Sequence, residues 1–195
     1  IVDGFDLVGA ALGRVQVGDI IVGRRIDVGD KIIGLESNGI HANGLSLVRK
    51  VLLQEGIGLD QHIPEFGMTL GDELLRPTHI YVPEILDLLQ SDIPIKALIN
   101  ITGDGLLNLL RIDREDTGFL IDNLPETPPI FEMIQSLGHL DASTMFSTFN
   151  MGIGFCIVVP PEYVPQVMLV LLRYHRRAWV IGHTIRDFEN TVYIK

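Results

Sequence analysis

Ser37, Asn38, Gly39, His41, Asn43 and Gly44 crowd into one short stretch between two apolar runs. A serine, two asparagines and an imidazole supply hydrogen-bond donors and acceptors together. The glycines let the backbone turn sharply and come close to a ligand. A helix opening near Gly44 would also offer unpaired N–H groups to an anion. One reading is a loop that holds a phosphate or a polar substrate. The other is a capped strand-to-helix turn, with Asn43 as N-cap and His41 exposed. Spacing alone tips slightly toward the second.

Hydrophobic period identifies the elements that must position this loop. Residues 31–35 read as a strand. A helix over 45–53 places Leu45, Val48, Val51 and Leu52 on one face and leaves Arg49 to solvent. Residues 5–17, apolar with small residues, suit a strand buried on both faces. Residues 24–30 form a charged corner, and 55–71 a loop that carries His62 on the surface. Helices are expected over 81–89, with Pro83 in the first turn, over 128–137 and over 162–175. Strands are expected over 95–101, 117–122, 155–159, 178–185 and 191–194, with Trp179 as a buried anchor. Strands and helices alternate without a steady βαβ rhythm. That pattern predicts an α+β domain, a mixed β-sheet with helices packed on it.

Two further glycine-rich places follow or open strands. Thr102, Gly103, Asp104 and Gly105 come after the 95–101 strand; Asn150, Gly152 and Gly154 precede or enter the 155–159 strand. Glycines alternating in a strand bare one face of the backbone. A substrate could lie there, or a neighbouring element could pack closely, and the residues alone favour packing. His139, His175 and His183 stand apart with no metal-ligand spacing, so no metal site is read.

The 195 residues are 47% hydrophobic, enough for a substantial core, and no run of 18 apolar residues suggests a membrane span. A net charge of −10 argues against a nucleic-acid surface, which needs clustered Lys and Arg. The single Cys156 lies in an apolar run, excludes an intrachain disulfide and fits a reducing, cytoplasmic setting. Residue 1 is Ile, and no charged-then-apolar leader follows it, so a piece of a longer protein is expected.

Residues 37–49, S-N-G-I-H-A-N-G-L-S-L-V-R, resemble the S-[SN]-G-x-H-[SA]-N-G-[YL]-S-L-V-R signature of the aminoimidazole ribonucleotide synthetase (phosphoribosylformylglycinamidine cyclo-ligase) family. Segments 74–82 (L-L-R-P-T-H-I-Y-V), 101–111 (I-T-G-D-G-L-L-N-L-L-R), 148–154 (T-F-N-M-G-I-G) and 178–182 (A-W-V-I-G) are similar to that family too. His79 stands where the family commonly has Arg, and Asp104 replaces the middle glycine of I-T-G-G-G. The Glu that follows in the family is absent, and Asn108 and Arg111 are loose equivalents of its Asn and Arg.

The resemblance runs from about residue 5 to the end and matches the family's C-terminal half. It implies that residues 1–25 are the last strand and linker of an N-terminal ATP-binding domain, and residues 26–195 a C-terminal α+β domain. It implies a ligase of purine biosynthesis: the amide oxygen of formylglycinamidine ribonucleotide is phosphorylated, then the amidine attacks and aminoimidazole ribonucleotide forms. His41 is implied as the proton-transfer or oxygen-orienting group. Ser37, Asn38, Gly39, Asn43 and Gly44 would hold phosphate and polar groups of the nucleotide substrate. Thr102, Gly103, Gly105, Asn150, Gly152 and Gly154 would shape the floor. ATP and Mg would belong mainly to the N-terminal domain, this chain's partner within the full-length protein, which is itself expected to be a homodimer. This piece alone is then expected to be inactive. The alternatives are a non-catalytic nucleotide-binding or dimerising module, and a sister ATP-using enzyme.

Overall fold

The computed structural model describes residues 8–112, 114 and 116–195. The apolar run Lys31–Glu36 forms strand β1, with Ile32, Ile33, Gly34 and Leu35 all buried. Helix α1 (Leu45–Glu55) follows, then a small hairpin of β2 (His62–Ile63) and β3 (Met68–Thr69). Two helices come next, α2 (Leu70–Leu74) and α3 (Val82–Leu89). Pro83 sits in the first turn of α3, where its missing N–H costs no helical bond.

Strand β4 (Ala97–Asn100) leads to a 3-10 turn at Gly105–Arg111, then strand β5 (Thr117–Ile121) and helices α4 (Pro129–Gly138) and α5 (Ala142–Thr148). The chain closes with strand β6 (Ile153–Val159), helix α6 (Val164–Arg173) and strands β7 (Ala178–Arg186) and β8 (Val192–Ile194).

Six strands form one sheet in the order β4-β6-β1-β7-β5-β8. Every neighbouring pair is antiparallel except β5 and β8. This is the mixed sheet of the expected α+β domain. Alternation along β1 sends Ile32 to one face, among Ile99, Phe119, Cys156 and Ile181, and Ile33 to the other. On that second face α3 and α6 supply Ile85, Leu88, Val167 and Leu171. A third apolar cluster joins α1, α4 and α5 through Val48, Leu52, Phe131, Met145 and Phe149. It fixes the far side of the 37–44 loop.

Several expectations change. Residues 5–7 of the first expected strand lie outside the described residues. Residues 8–16 are exposed and in no strand, and Val17 begins a short 3-10 turn. Among the described residues no strand pairs with them, so no ladder forms. Trp179 is only half-buried, although it lies in the ladder opposite Gly34 of β1, because it also lines an open hollow. Helix α5 arises where the sequence reading placed no element. The Asp141 carboxylate caps it, accepting from the Thr144 N–H at 2.6 Å. Asp141→Ala is expected to cost about 1 kcal/mol in urea unfolding, the usual loss for such a cap. No helix among the described residues is long and apolar enough to cross a membrane.

Candidate functional site

The loop begins where β1 ends. The β1–β6 register shifts at Leu35 and Glu36, and such a bulge re-aims the chain. Ser37 N–H then donates to Gly152 O at 2.9 Å, tying the start of the loop to the turn before β6. Asn150, fully buried, clamps the two. Its Oδ1 accepts from Ser37 Oγ at 2.8 Å and from Gly152 N–H at 2.9 Å, and its Nδ2 donates to Gly39 O at 3.1 Å. Gly39 and Gly152 have φ of +72° and +96°, backbone that side chains rarely adopt. Ser37, Gly39, Asn150 and Gly152 are therefore one hydrogen-bonded unit.

His41 lies beside it, at φ +56° and only 8% exposed. The turn reading had it exposed. Instead the 74–82 segment folds over it and places two more rings there. The His41 ring is 6.2 Å from His79 and 6.4 Å from Tyr81, and those two are 5.9 Å apart. Tyr81 is pinned by its hydroxyl, which donates to Glu36 O at 2.7 Å. The Arg176 guanidinium lies 5.4 Å over its ring and also donates to the buried Glu84 carboxylate at 2.8 Å. A Cβ on Gly154 would strike the Tyr81 hydroxyl and come within 2.7 Å of His41 Cε1. The bare face at Gly154 is thus filled by close packing. Gly152 lies just before β6, outside the strand, so the two glycines do not alternate within it.

His41 Nε2 accepts the Asn38 N–H at 2.9 Å, so a neutral His41 carries its proton on Nδ1. Burial lowers its pKa from 6.5 to about 4, and the His79 charge pushes the same way. His79 is lowered as well, first by burial and then by Arg176. Between pH 6.5 and 4 the unfolded chain takes up a proton at His41 that the folded chain refuses. Stability is therefore complete above about pH 6.5 and declines as acid is added through that window. Allowing for screening at its partly open side, the decline is about 2 kcal/mol. Urea midpoints measured from pH 7 to 4.5 are expected to show it, with a shallower slope in His41→Asn.

The remaining loop residues cap and pack. The N-cap of α1 is Gly44 at φ +69°, not Asn43, because the Phe149 ring occupies the space any side chain at 44 would need. Asn43 is buried and its Nδ2 has no partner. The Asn38 side chain donates to Pro77 O at 3.0 Å.

A hollow of about 640 Å³ opens beside the clamp, with Ser37, Gly39 and Gly152 in its wall. Glu36, Glu73, Arg76, Arg177 and Trp179 share that wall, together with the 125–129 loop. None of these five side chains was singled out for binding from the sequence. The nearest signal was the A-W-V-I-G segment. Thr102, Gly103 and Gly105 do not reach this hollow. Thr102 N–H and Oγ1 both donate to Asn108 Oδ1, at 2.7 and 2.8 Å, on the rim of a separate hollow of about 340 Å³. Gly103 is exposed, and Gly105, at φ +56°, abuts the carbonyls of Phe146 and Phe149. Asp104 accepts from Arg111 at 2.6 Å on the surface. Among the described residues no three His, Cys, Asp or Glu side chains are grouped to hold a metal.

Comparison with known proteins places this geometry. The family described as AIR synthase related protein, C-terminal domain, matches residues 27–195. Phosphoribosylformylglycinamidine cyclo-ligase of Methanococcus vannielii is 44% identical over 189 residues, covering 96% of this chain and 53% of the relative. The chain thus spans about half the length of the curated relatives it matches. Thiamine-monophosphate kinase from Stenotrophomonas maltophilia shares the fold at a TM-score of 0.59 and 18% identity, over 93% of this chain and 54% of that one. Hydrogenase maturation protein HypE, solved in complex with ATP, has a TM-score of 0.58 at 17% identity, over 93% and 52%.

Proposed function

Since the chain belongs to the AIR synthase related family, as its C-terminal domain, we propose that it is the C-terminal part of a phosphoribosylformylglycinamidine cyclo-ligase. The observation that carries this is the 44% identity to an enzyme of that name across 96% of the chain. The sister enzymes of similar fold stand at 17–18%. The ATP-binding half, and with it Mg, would lie in the length of the relatives that this chain does not span. The assembled enzyme would be a cytoplasmic homodimer.

On this reading the formyl amide oxygen of formylglycinamidine ribonucleotide is phosphorylated at the expense of ATP, which turns a poor electrophile into an iminophosphate. The amidine nitrogen of the same molecule attacks that carbon, phosphate leaves, and aminoimidazole ribonucleotide forms. This chain contributes positioning and charge complementarity. Ser37, Gly39 and Gly152 present polar backbone and a hydroxyl to the substrate, and Asn150 holds them rigid from behind. His41, neutral at operating pH, orients an oxygen through Nδ1–H.

The test is reconstitution. The chain mixed with the N-terminal half of its own full-length protein is expected to form aminoimidazole ribonucleotide with ATP, and neither half to do so alone. A full-length protein that spends ATP on another acceptor and never closes the imidazole ring would overturn the assignment in favour of a sister enzyme.

A further inference from the structure

The wall of the larger hollow carries a pattern that the polar loop does not explain. The half-buried Trp179 indole shares it with the carboxylates of Glu36, Glu65, Glu73 and Glu126. Two cations offset them only partly. Arg76 is taken by Glu73 at 3.2 Å. The Arg177 guanidinium lies over the Trp179 ring, 5.5 Å from its centroid, while Arg177 N–H reaches Glu36 Oε1 at 3.1 Å. Glu65 and Glu126 have no ion-pair partner among the described residues. A hollow that offers an indole and an excess of carboxylates in one wall favours a flat, delocalised cation, through cation–π attraction and charge-assisted hydrogen bonds. A phosphate there would meet excess negative charge. Arg177 already shows the stacking half of the arrangement from within the chain: its guanidinium lies on the indole, while its backbone N–H, not its side chain, takes up Glu36 Oε1.

We infer that this hollow binds a planar monocation of the amidinium or guanidinium class, stacked on Trp179 in place of Arg177 and held by Glu36 and Glu126. Assigning that cation to the amidine end of the cyclo-ligase substrate rests on the function proposed above; the cation site itself does not. It follows that the substrate's phosphate lies away from this wall.

Trp179 is the sole tryptophan, so its fluorescence reports occupancy directly. Benzamidine titrated into the chain at low ionic strength is expected to change the emission saturably, and neutral benzamide to leave it unchanged. Glu126→Gln, on an exposed loop, and Glu36→Gln are each expected to weaken benzamidine by about tenfold, the loss of one charge-assisted contact. Benzamide binding as well as benzamidine, inorganic phosphate binding more tightly than either, or an affinity indifferent to both substitutions overturns the site. In the full-length enzyme Glu126→Gln is expected to raise the KM for the amidine substrate and leave that for ATP alone. If benzamidine binds as stated but that KM does not move, the cation site stands and its assignment to the substrate falls.

Discussion

His41→Ala in the full-length enzyme is expected to lower kcat by about 10²- to 10³-fold while the KM for ATP stays near its original value. The expectation comes from how the ring is held. Asn38 N–H fixes Nε2, Gly154 leaves room for the ring edge, and His79 and Tyr81 pack around it. Such an imidazole has little motion left to lose, so its Nδ1 donor is held in place beforehand. A pKa near 4 keeps it neutral from about pH 5 upward. This separates the two roles the family resemblance left together. An orienting donor predicts partial recovery in His41→Asn, whose amide can accept from Asn38 and still donate. A proton shuttle predicts no recovery, and a kcat that breaks near pH 4, where the ring takes up its proton. Unchanged turnover in His41→Ala would remove the residue from the mechanism altogether.

Strands β1 and β6 were legible because each is a continuous apolar run buried on both faces, β7 because it opens on the apolar run 178–181, and helices α1, α4 and α6 because their apolar positions recur at helical spacing. Short elements were not. Helix α5 buries only Met145 and is held by its cap and its contact with the 105–111 turn, which leaves no period to read. Hairpin β2–β3 has two residues on each side, too few for alternation to register. For the site, the clustering of polar residues at 37–44 marked the place but not the burial of His41. That burial comes from His79 and Tyr81, brought over the loop by the 74–82 segment. Trp179 and Arg177 reach the hollow from β7 and the turn before it, Arg76 from the residues after α2, and Glu126 from the loop before α4. Proximity among three such distant segments is a property of the sheet order, which no local spacing encodes.

Asn150→Ala is expected to destabilise the chain by about 2–4 kcal/mol, a large share of the ~5–15 kcal/mol that holds a domain of this size together. Asn150 is fully buried and makes three hydrogen bonds, to Ser37 Oγ, Gly152 N–H and Gly39 O. Ser37 Oγ retains Gly39 O as an acceptor at 3.1 Å, so its loss is small. Gly39 O keeps that same hydroxyl as its donor, but Gly152 N–H has no such substitute among the described residues, and an unsatisfied buried group costs about 1–3 kcal/mol. Both glycines hold positive φ, so the clamp also keeps that backbone from relaxing. Asn150→Asp preserves the acceptor side but sets a carboxylate oxygen against Gly39 O. It should be at least as damaging at pH 7 and recover in part once acid protonates it, because the carboxylic acid can donate again. Urea unfolding of the two variants at pH 7 and pH 4.5 separates these effects. A loss under about 1 kcal/mol in Asn150→Ala would mean that solvent already serves these groups, and that the loop is not rigidly joined to the strand behind it.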